Sequence, residues 1–84
     1  MLCNIFRGYE IYVIIIINCK DVKWERFYSY HTIKDVLKYL KITYNIKSVC
    51  SSINEMKYCH TSDYLIDYIE DIDFNAISMK VATF

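Results

Sequence analysis

Proline is absent from the 84 residues, and glycine occurs once, at Gly8. A single glycine excludes the glycine-rich loops that cradle phosphates. It also removes the usual markers of turns and helix ends, so boundaries fall to Asn, Asp and Ser. Net charge is missing too. Ten basic and ten acidic side chains cancel, and the sequence pI is near 6.7. Such a chain has no overall electrostatic pull toward phosphate backbones, which argues against nucleic acid as a partner. A run long enough for a bilayer is lacking as well. A spanning helix needs about 20 apolar residues, whereas Ile11 to Ile17 is bounded by Glu10 and Asn18, with Arg7 behind and Lys20 and Asp21 ahead. "MLCNIFRGYE" shows neither a basic leader region nor a small-residue cleavage site. The expectation is an intracellular protein, cytoplasmic or nuclear, with no membrane attachment.

Chemistry-bearing clusters are equally sparse. Cys3, Cys19, Cys50 and Cys59 are even in number, but without a secretory pattern they read as reduced, buried structural thiols. Cys50, Cys59 and His60 evoke a zinc site, yet paired zinc ligands sit about two to four residues apart, and these cysteines are nine apart. A cysteine nucleophile needs a histidine base and an activating environment, which the Cys59–His60 adjacency does not supply. "YIEDIDF" has three carboxylates but no calcium-loop spacing, and reads as a solvated acidic turn. No metal, cofactor or catalytic residue is expected, and the chain does not read as an enzyme.

What is present is apolar and aromatic: 55% of the residues are hydrophobic and 17% of the chain is Phe, Trp or Tyr, which excludes disorder. The length makes one domain, residues 1–84, with a small core. Abundant Ile, Tyr, Lys and Asn fit an AT-rich genome such as that of a large DNA virus or a parasite. Seven β-branched or aromatic residues in succession, Ile11 to Ile17, predict a strand covered on both faces, or at least central in its sheet. "NCKD" then predicts a turn, and "VKWERFYSY" (22–30) an antiparallel return strand with a bulge at Arg26–Phe27. Over 31–45 the period changes to 3.6. Ile33, Val36, Leu37, Leu40 and Tyr44 share one stripe, Thr32 is the expected N-cap, and Asp35 lies in the first turn. A short strand follows at Val49–Ile53, a turn at Asn54–Glu55, a second short strand at Met56–Cys59, and a helical turn within 60–69. Residues 76–83 alternate, with Ile77, Met79 and Val81 facing one way. The fold class is α+β: a ββαββ mixed sheet with one helix across one face and the first and last strands side by side in the centre.

Two stretches make this pattern resemble the ubiquitin-like β-grasp family. "HTIKDVLKYL" resembles the opening of the family's helix, through Thr32, Ile33, Val36 and Leu40. "LIDY" resembles its Leu-x-Asp-Tyr turn, through Leu65, Asp67 and Tyr68. The resemblance covers roughly Tyr9 to Thr83. It implies a protein-binding module, with Leu65 in the core and Tyr68 fastening the loop. The chain ends "KVATF" where conjugated relatives end in Gly-Gly, so conjugation is not expected. Ser51, Ser52, Ser78 and Lys80 stand near the family's apolar recognition patch and are polar, so the family's ordinary receptors are not implied.

Two surfaces compete for a protein partner. One is the exposed sheet face. The other is the second-strand edge beside the helix, where Lys23, Arg26, Lys34, Lys38 and Lys41 would meet an acidic partner, as in Ras-binding β-grasp domains. Scattered surface charge is the plainer account of these five cations. The alternative to a heterologous partner is a structural, self-associating subunit, because the aromatic content exceeds what so small a core can enclose. For a viral protein, interference with host ubiquitin-like signalling is a role either surface could serve.

Overall fold

The computed structural model describes residues 10–56, 59–69 and 74–84. The acidic stretch at 70–73 and Cys3 lie outside them. Strand β1 (Glu10–Ile17) turns into β2 (Asp21–Tyr28), helix α1 (Ile33–Tyr44) crosses the sheet, and β3 (Ser48–Ile53) follows. A 3-10 turn (Leu65–Tyr68) precedes β4 (Ala76–Thr83). The sheet is mixed, in the order β2-β1-β4-β3, with β1 and β4 parallel at its centre and both outer pairings antiparallel. The isoleucine run therefore occupies the expected central position.

Each strand separates its side chains by parity. In β1, Ile11, Val13, Ile15 and Ile17 are buried under the helix, while Tyr12, Ile14 and Ile16 face the other way. Phe27 continues the buried layer on β2, Ile77, Met79 and Val81 on β4, and Ile53 on β3. Helix α1 closes it with Ile33, Val36 and Leu40, and Leu65 seals the end. Full burial of each aliphatic side chain contributes about 1.5–3 kcal/mol. The expected stripe is correct except at its end, where Tyr44 is partly exposed.

The helix starts with a capping box. Thr32 Oγ1 accepts from the Asp35 N–H, and the Asp35 carboxylate accepts from the Thr32 N–H at 2.8 Å. The N–H groups of Ile33 and Lys34 donate to the carbonyls of Asp63 and Thr61, so the loop before the 3-10 turn satisfies donors the helix cannot. Asn45 ends the helix in the left-handed region, the usual place for the glycine this chain lacks.

Three expectations are corrected. The β1–β2 ladder runs unbroken from Glu10↔Tyr28 to Ile17↔Asp21, so no bulge occurs at Arg26–Phe27; the register shift is instead between Cys50 and Ser52 on β3. Of the strand expected at Met56–Cys59, the described residues Met56 and Cys59 lie in no strand. Met56 makes one isolated bridge to Ile53 across a turn, and residues 57 and 58 lie outside the described set. Finally, the helix covers only one face of the isoleucine strand.

Candidate protein-docking face

The uncovered face of β1 and β2 is apolar because of that parity. Register sets Tyr12 opposite Arg26, Ile14 opposite Trp24 and Ile16 opposite Val22, all pointing away from the helix. Trp24 is 65% exposed, Val22 55% and Tyr12 45%, while Ile14 and Ile16 are half-buried between them. Phe74 is 74% exposed and joins Tyr12, Trp24, Asn75 and Ala76 around a shallow depression of about 310 Å³. Along β2 the aromatic surface continues through Tyr28, whose ring stacks on Tyr30 at 5.7 Å.

The rim is polar. Arg26 and Glu10 form an ion pair at 3.3 Å, with more than two-fifths of each side chain in water, and the Tyr12 hydroxyl donates to the same carboxylate. An exposed pair of this kind adds little stability but fixes the border of the apolar centre. The β4–β3 half of the face carries Ser78, Lys80 and Ser52, with the exposed Val49 opposite Ala82 at its end. The polarity expected there is present; the apolar surface lies one strand pair away, on β1 and β2.

The five predicted cations do not form one surface. Lys23 and Arg26 point to opposite faces of β2. Lys23 lies on the helix side, its Nζ 4.3 Å from the centre of the Tyr44 ring. Arg26 and Lys38 do line a common groove of about 320 Å³ at the β2 edge, but the Asp35 carboxylate lines it too. Lys34 and Lys41 gather on the far flank of α1 with Lys47, a residue the sequence reading did not single out, and Lys38 borders both grooves.

The remaining polar groups are structural. His31 Nδ1 accepts from the Tyr28 N–H at 3.0 Å, and its ring packs edge-on against Phe27. Glu25 accepts from both Tyr39 and Tyr44, and these bonds raise both phenols above their ordinary value. The Cys59 thiol donates to the Cys50 carbonyl. Burial first, and the neighbouring Cys59 next, push the Cys50 thiol up, opposite to what an activated nucleophile requires. Among the described residues, no cluster of three or more His, Cys, Asp or Glu is placed to hold a metal, and no helix is long and apolar enough to cross a membrane.

The apolar face was legible in part: Val22, Trp24 and Tyr28 share parity, opposite to Phe27. Nothing in the local pattern marks Phe74 or Lys47, which reach their positions through the chain's return to the sheet. Comparison with protein-family models, with curated proteins and with solved structures finds no match for this chain.

Proposed function

We propose that this chain is a ubiquitin-like β-grasp module that binds a protein partner through the open face of β1 and β2. The observation that carries the reading is the contiguous exposed surface of Tyr12, Val22 and Trp24 around Ile14 and Ile16. An aromatic and aliphatic centre with a charged rim is the anatomy of a binding hot spot, where large rigid side chains supply most of the energy. The β-grasp assignment draws support from the parallel central pair, the capped helix with Ile33, Val36 and Leu40 inward, and the Leu65–Tyr68 turn. In that turn Leu65 is buried, and the Tyr68 hydroxyl donates to Asp63 at 2.6 Å.

Trp24 is the only tryptophan, so its emission reports the face directly. A protein retained from native-cell extract by the wild type, and not by Trp24→Glu, is purified and titrated back. The expected result is a blue shift on binding and at least about a tenfold loss of affinity in the variant, with thermal stability unchanged. Equal retention by both proteins would rule out this face.

Self-association is the second reading, and β2 favours it, being an edge strand of the sheet among the described residues, a position at which a second copy can add a strand. Sedimentation of wild type and Trp24→Glu over a concentration series separates the two. A dimer that the substitution dissociates makes the partner a second copy.

A further inference from the structure

The flank of α1 away from β2 carries a second concave surface, of different chemistry. Lys34, Lys38 and Lys41 follow one another at i, i+4 and i+7 around Leu37, and Lys47 faces them from the start of β3. Leu37 and Ile46 line a groove of about 450 Å³, with the exposed Phe84 at its border. Among the described residues no carboxylate lines it, and none lies within ion-pair distance of its four lysines. We propose that this groove binds an acidic peptide segment carrying an apolar anchor side chain.

Three observations favour that occupant. Like charges at i and i+4 on a helix repel, and the neutral chain gathers four of its ten basic residues around this groove, while the Asp35 carboxylate that acts on Lys38 lines the other groove and not this one. The helix dipole accounts for Lys41 in the last turn, but it disfavours Lys34 in the first. A concave floor with aliphatic walls receives a side chain, whereas single-stranded nucleic acid requires a platform of aromatic rings, and Phe84 is the one aromatic residue here. From Lys34 to Lys41 the groove is about 10 Å long at the helical rise, which matches a few residues of extended peptide.

The test uses the full chain, labelled with nitrogen-15, and two synthetic dodecapeptides of Leu and Phe with either Glu or Gln at the remaining positions. The expected result is amide shifts at Lys34, Leu37, Lys41, Ile46 and Lys47 on adding the Glu peptide. Affinity falls as salt is raised. The triple variant Lys34→Gln, Lys41→Gln, Lys47→Gln weakens binding at least about tenfold, while Trp24→Glu leaves it unchanged. Because the two variants lie on different surfaces, failure here is distinguishable from failure of the sheet-face reading. The proposal is overturned by no shift up to millimolar peptide, by equal binding of the Gln peptide, by shifts confined to β1 and β2, or by tighter binding of oligothymidylate or phosphatidylserine vesicles.

Discussion

Among the described residues, five non-glycine residues adopt left-handed backbone angles: Asn18, Cys19, Asn45, Asn54 and Glu55. Asparagine tolerates that region better than most residues, and a chain with almost no glycine uses it three times. Two of these asparagines also bind β4. The Asn18 side chain donates to Thr83 Oγ1 and accepts from the Thr83 N–H, while Asn54 accepts from the Ser78 N–H and donates to the Tyr68 carbonyl. Cys19 and Glu55 have no such compensation among the described contacts of their side chains. Glu55→Gly is therefore expected to raise stability by about 0.5–1 kcal/mol, the relief of left-handed strain exceeding the added freedom of the unfolded chain. Chemical denaturation measures it; an unchanged or lower midpoint would show that Glu55 is unstrained. The turns themselves were legible as Asn-rich breaks. The bonds to Ser78 and Thr83 were not, because their partners lie 24 and 65 residues away.

At the scale of elements, the segment from His60 to Tyr68 ties the helix N-terminus to the sheet. It supplies carbonyls to Ile33 and Lys34, receives Asn54 at the Tyr68 carbonyl, and is closed by the Tyr68–Asp63 bond. Burial, followed by Asp63, pushes the Tyr68 phenol from 10.0 up to about 12. A phenol raised in the folded state contributes stability that is fully present below its ordinary value. That contribution is lost as pH climbs from 10.0 through about 12. A difference titration of wild type against Tyr68→Phe is expected to show one phenol ionising near the upper limit, and the variant to lose about 0.5–1.5 kcal/mol at neutral pH. A Tyr68 titrating at the ordinary value would mean that the turn is not docked. The sign for Asp35 is the reverse. Its backbone bond from Thr32 lowers the carboxyl, so the capping box stabilises above the ordinary carboxylate value of 3.8 and is lost below it.

For the whole molecule, the decisive fact is that one helix can cover only one face of four strands. Ile15 is fully buried beneath it, whereas its neighbour Ile14 lies half-buried on the open face beside Trp24. Ile15→Asp is expected to abolish folding, since burying a lone carboxylate costs several kcal/mol against a total stability of about 5–10 kcal/mol. Ile14→Asp is expected to fold, with the open face altered. Circular dichroism separates them; two variants of equal stability would mean that both faces are covered alike. Strand, helix and turn identities were readable because β-branching, a 3.6-residue period and a capping Thr32 act locally along the chain. The sequence alone also determined that β1 is central, since no other segment is so uniformly apolar. Alternation picked out the buried set of β4, Ile77, Met79 and Val81, but the sequence could not determine which parity of β1 and β2 is buried. A period of two yields two equivalent sets of side chains, and only the side on which α1 packs chooses between them. That choice put Phe27 inside and Trp24 outside, set Lys23 on the helix side, and brought Lys47 to the helical lysines.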